Sequence, residues 1–130
     1  MASRLTKLPM VTLFHNPSSR ISIEALRLLK KGANAKKYEI DLVQTKSFPP
    51  THQQLANIVE FMGPTALEEI LLPEAPKAST LTELQEILEK QPVLMRKPLI
   101  IDWNRAKAFV GDPPQKVKEF VKSIDVKRDK

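Results

Sequence analysis

The chain has 130 residues, enough for one domain of ordinary size, and its 42% hydrophobic and 28% charged content suits a soluble protein with a real core. It contains no cysteine, which excludes a disulfide framework, a zinc–thiolate site, an iron–sulfur cluster and any thiol redox cycle within the chain. The net charge is +6, yet the lysines fall into separate groups (Lys30/Lys31, Lys36/Lys37 and Lys116 to Lys130) without interleaved aromatics, and no apolar run approaches the ~20 residues of a membrane-spanning helix. Neither nucleic acid nor a membrane is therefore expected as a partner.

In chain order, the first 23 residues carry Arg4, Lys7 and Arg20 and no acid. That pattern suits a mitochondrial targeting segment, although it overlaps the first strand; the alternative location is the cytoplasm. Val11 to Phe14 is a short apolar run, read as a strand. A sharp loop, His15-Asn-Pro-Ser-Ser19, leads into a helix marked by Ile21, Ala25, Leu28 and Leu29, with Gly32 as its expected stop. Strand, loop and helix start together aim free N–H groups and the positive helix end at one spot, suited to an anion or an activated thiol.

Lys37 to Val43 alternates and reads as a half-buried second strand. Phe48-Pro-Pro is a break, after which Thr51 and Gln54 form a capping box for a helix ended by Gly63-Pro64. Thr65 to Leu72 reads as a short helix and Pro73 to Ser79 as loop. Thr80 and Glu83 form a second capping box, opening a helix with Leu81, Leu84, Ile87 and Leu88 on one face. Leu99–Asp102 and Ala106–Val110 are two strands whose three-residue connection, Trp103-Asn104-Arg105, makes them antiparallel neighbours. Asp112 then stands as N-cap, with proline at the first helical position and Gln115 at the third, before a last helix bearing Val117, Phe120, Val121 and Ile124.

The order is β-α-β, then helices, then β-β-α. It predicts one α/β domain over residues 1–130: a mixed four-stranded thioredoxin-like sheet with a helical insertion at about 51–90 and loose ends at about 1–9 and 125–130.

Three patches go beyond a generic fold: His15-Asn-Pro-x-Ser19-x-x-Ser22; Phe48-Pro-Pro-Thr51 with Met62-Gly63; and Pro92 to Ile101 followed by Val110-Gly-Asp-Pro-Pro114. Together they resemble the arsenate-reductase-like branch of the thioredoxin fold, which includes the Spx-type regulators, over about residues 11 to 122. The cysteine-free loop and the stretch from Leu99 to Gly111 resemble more closely a fungal mitochondrial redox protein family of that branch. The resemblance implies an oxidoreductase acting on small toxic molecules, and a cis proline at Pro98.

It also implies a site, and departures from it. Ser19 stands where the reductases have their nucleophilic cysteine, and a serine is no ionised nucleophile without a paired base. The sequence shows nothing that turns His15 toward Ser19. The arginine before the conserved proline falls on Lys97, with Arg96 beside it, and a later arginine falls on Asp112. The cysteine position of the fungal family falls near Ile87. Ser18, Arg20, Ser22, Arg96, Lys97 and Pro98 are the expected lining of an anion pocket around Ser19. The plainer alternative is that one serine caps the first helix and the rest are solvated.

His52 and the scattered glutamates read as exposed, Trp103 as a packing residue, and no metal site is expected. No bound cofactor is implied; any reduction would draw on an external thiol such as glutathione. The expected partner is a small anionic or electrophilic molecule. The alternative is a non-catalytic module that binds a protein.

Overall fold

The computed structural model describes residues 8–44 and 50–124. Strand β1 (Met10–Phe14) leads to helix α1 (Arg20–Asn34) and strand β2 (Glu39–Val43). Helices α2 (His52–Met62), α3 (Ala66–Glu69) and α4 (Leu81–Lys90) follow, then a 3₁₀ turn at Pro92–Leu94. Strands β3 (Leu99–Asp102) and β4 (Lys107–Val110) and helix α5 (Pro114–Ser123) complete the chain. The sheet order is β2-β1-β3-β4. β1 and β2 are parallel, as a β-α-β crossover requires, and the other two pairs are antiparallel.

Alternation along the strands splits the core into two layers. Val11, Leu13 and Ile100 face α1 and α5, where they pack with Ala25, Leu28, Leu29, Val117 and Phe120. Phe14, Leu99 and Ile101 face the other side and pack with Leu55, Ile58, Ile70, Leu84 and Leu88 from the inserted helices. The insertion is thus the second wall of the core. Its Thr51/Gln54 capping box is formed in full.

Several local expectations are corrected. Gly32 does not stop α1, which runs on to Asn34. It is there because Tyr38 packs over it: a Cβ at Gly32 would lie 2.2 Å from the Tyr38 hydroxyl, which donates to the Leu29 carbonyl. The left-handed residue that turns the chain is Lys36, with φ of 61°. β2 begins at Glu39, and as an edge strand it is more exposed than its pattern suggests, with Leu42 39% accessible.

Asp112 is not the N-cap of α5. Pro113 holds that place and Pro114 is the first helical residue, so Gln115 stands at the second. The second capping box is offset: Thr80 accepts from the Glu83 N–H, but the Glu83 carboxylate accepts from Ser79 N–H rather than from Thr80. The hairpin turn includes Ala106 (φ 55°), leaving β4 to start at Lys107. The expected helix at 65–72 is the single turn α3. The Phe48-Pro49 part of the second patch, the basic residues Arg4 and Lys7, and the tail 125–130 lie outside the described residues.

Candidate functional site

β1 ends at Phe14, and the next residue, His15, is still tied to the sheet by its N–H, which donates to the Val43 carbonyl (2.8 Å). The loop then closes on itself. Asn16 N–H donates to Ser22 Oγ (2.9 Å), Ser18 N–H to the Asn16 side-chain oxygen (2.9 Å) and Ser19 N–H to the Asn16 carbonyl (3.0 Å). Ser19 is the N-cap of α1 and accepts from Ser22 N–H (3.3 Å). The loop therefore consumes most of its own donors. Among the described residues, Arg20 N–H and Ile21 N–H at the start of α1 remain without a partner.

Ser22 is fully buried and holds the ring of His15, with Oγ 2.6 Å from Nδ1. Burial, aided by the charge of Lys30, lowers the His15 pKa below its ordinary value of 6.5, so the ring is neutral at neutral pH. Among the described residues Nε2 has no hydrogen-bond partner, and no buried side-chain nitrogen or oxygen is left unpaired. Nε2 thus keeps some solvent access, and His15 lines the cleft beside it.

The opposite wall comes from the chain before β3. Residues 70–72 and 94–96 pair: Leu72 N–H donates to the Leu94 carbonyl (2.9 Å) and Arg96 N–H to the Ile70 carbonyl (2.7 Å), around an antiparallel bridge between Leu71 and Met95. This pins the register of an extended segment, in which side chains alternate. Met95 and Lys97 turn one way, into a cleft of ≈ 400 Å³ lined also by His15, Asn16, Ser19, Leu72 and Val93. Arg96 turns the other way, toward Glu68, Glu69, Asp112 and Lys116. Half-buried Lys97 makes no ion pair among the described residues, and burial pulls its ammonium pKa down.

Of the residues expected around Ser19, the structure brings only Lys97 into the same cleft. Ser18 and Arg20 are exposed beside the loop, Ser22 lies beneath it, and Arg96 opens elsewhere. Pro98 is buried behind Lys97, and the Lys97–Pro98 peptide is cis. The Pro98 carbonyl accepts from Gly111 N–H (2.9 Å). A Cβ on Gly111 would lie 2.8 Å from Val117 and 3.2 Å from the Pro98 ring, so only glycine lets the two segments meet. Ile87 is half-buried and packs in the core of the insertion, away from the cleft.

Sequence reasoning passed over Asn16 as the organiser of the loop and over the apolar wall of Leu72, Val93 and Met95. Asn16 carried a usable signal, since Asn-Pro-Ser is a typical side-chain turn. The wall carried none, because it forms only when 70–72 pairs with 94–96.

The fold is that of solved arsenate reductases. One, described as "Putative arsenate reductase from Yersinia pestis", is 22% identical with a TM-score of 0.67, over 84% of this chain and 98% of that one. Another, an arsenate reductase from Vibrio cholerae, is 18% identical with a TM-score of 0.70, over 87% of this chain and 98% of that one. No curated protein sequence matches. The model of the family described as "Protein of unknown function (DUF1687)" matches residues 3–112, and the chain belongs to that family.

Proposed function

We propose that this is a mitochondrial redox-family protein of the arsenate-reductase-like branch that binds a small anionic or electrophilic molecule and supplies no electrons itself. The observation that carries this reading is the cleft, where a lysine without an ion pair among the described residues, a neutral histidine and a helix-capping serine converge, in a chain that has no cysteine. Lys97 attracts the anion, the positive start of α1 capped by Ser19 adds to that field, and Leu72, Val93 and Met95 thin the water around it. Ser19 positions and caps. Reduction of the bound molecule then needs a thiol from outside, glutathione being the nearest chemical fit.

The test is turnover of arsenate with glutathione and glutaredoxin present, beside calorimetric binding of arsenate and phosphate. Binding that Lys97→Ala weakens by about tenfold or more, as loss of a charge-assisted contact implies, supports the reading. No binding and no turnover above a blank would contradict it. Location is tested by fractionating cells that express the full chain: recovery outside mitochondria would overturn that part.

A second reading draws on Val93, 61% accessible at the edge of the same cleft. There the cleft takes a segment of a protein rather than a small molecule. Capture of a stoichiometric protein from mitochondrial or cytosolic extract, lost with Val93→Asp, would favour it.

A further inference from the structure

The lysine groups that stand apart in the sequence meet in the fold. α1 and α5 cover the same side of the sheet, packed through Leu28, Leu29, Val117 and Phe120, and Lys37 Nζ donates across to the Val121 carbonyl (2.9 Å). Their outer surfaces therefore form one face. Arg20, Arg27, Lys30 and Lys31 on α1 and Lys118 and Lys122 on α5 are all exposed. Against them stand Glu119 and Glu24, and Glu24 is already held by Arg27. The other side of the sheet is the opposite: residues 51–90 carry seven glutamates and two lysines. The molecule is polarised across its sheet far more than a net charge of +6 implies.

One apolar side chain sits in the basic face. Ile23 is 50% accessible and shares the outward stripe of α1 with Arg20, Arg27 and Lys30, by the three-and-four spacing of a helix. We propose that this face docks on an anionic phospholipid bilayer, with the cations among the headgroups and Ile23 entering between them. The choice of partner follows from what the face contains. A stable protein interface needs an apolar centre, and Ile23 is the only exposed large hydrophobic on α1 or α5 among the described residues. Single-stranded nucleic acid calls for exposed aromatic platforms, whereas Phe120 is buried and Phe109 half-buried. On a charged bilayer the attraction of the cations to anionic headgroups and the burial of Ile23 at the headgroup boundary act together, which suits reversible attachment. The expectation of no membrane partner rested on the absence of a long apolar run, which attachment at the bilayer surface does not require. The proposal is independent of what the Lys97 cleft binds.

The experiment is co-sedimentation of the full chain with phosphatidylcholine vesicles, with and without about 30% phosphatidylserine, at about 0.1 M salt. The wild type should sediment with the anionic vesicles only. Two variants with equal charge change separate the face from the net charge: K30E/K31E on α1 and K77E/K90E on the opposite layer. The first should lose about tenfold or more in vesicle affinity and the second should keep more than half of it. Ile23→Ser should weaken binding several-fold with an unchanged circular dichroism spectrum. Equal loss in both charge variants, no sedimentation, or retention on duplex DNA without retention on vesicles would each overturn the proposal.

Discussion

Ser22 shows how much one hydroxyl does in this loop. It accepts from the partly buried Asn16 N–H and meets the buried His15 Nδ1. Ser22→Ala should destabilise the protein by ~1–3 kcal/mol, because two polar groups then stay buried without a partner; equilibrium denaturation measures it, and a change within error would mean water replaces the hydroxyl. His15 adds a pH dependence. Its pKa is lowered in the fold from an ordinary 6.5, so below that value the unfolded chain binds the extra proton and the folded chain does not. Stability is therefore full above the ordinary value and falls with pH below it. Denaturation midpoints between about pH 7 and pH 5 should fall, and His15→Gln should flatten the slope. Ser19→Cys tests the electrostatics of the cap. A thiol there accepts from Ser22 N–H at the positive end of α1, and should titrate below its ordinary value of about 8.5; ultraviolet absorbance of the thiolate reads this directly, and a value at or above 8.5 would show that the helix start does not act on the side chain.

Among the elements, α1 carries the clearest lesson about reading sequence. Its apolar stripe and its serine cap were legible because both depend on neighbours in the chain. The role of Gly32 was not, because its reason, Tyr38, becomes its neighbour only after β2 is laid down. Gly32→Ala should destabilise by ~1–3 kcal/mol despite the better helix propensity of alanine, since the methyl group has to displace the Tyr38 ring. A more stable variant in thermal unfolding would show that Tyr38 moves freely. The start of α5 makes the same point: Asp112 had the right chemistry for a cap, but two following prolines shift the helix by one residue. Arg96 and Lys97 looked like a pair of cations for one anion. Their separation depends on backbone pairing with residues 70–72, a contact across more than twenty residues that local pattern does not encode.

At the scale of the whole molecule, the order of elements and the mixed four-stranded sheet were legible, because each strand and helix is bounded by strong local signals and a connection as short as Trp103 to Ala106 admits only an antiparallel pair. The site was legible in place but not in membership. The loop and the segment before β3 do face each other, yet Ser19 and Lys97 alone of the expected residues share the cleft. The sheet divides the charge as well, basic on the α1–α5 side and acidic on the side of the insertion. The central claim is that the cleft between Ser19 and Lys97 takes a small anion. An amide chemical-shift titration with arsenate tests it most directly. Saturable shifts concentrated at residues 16–22 and 93–97, absent in Lys97→Ala, are predicted. Shifts that do not saturate, or that gather on the basic face of α1 and α5 and leave these two segments unmoved, would contradict it.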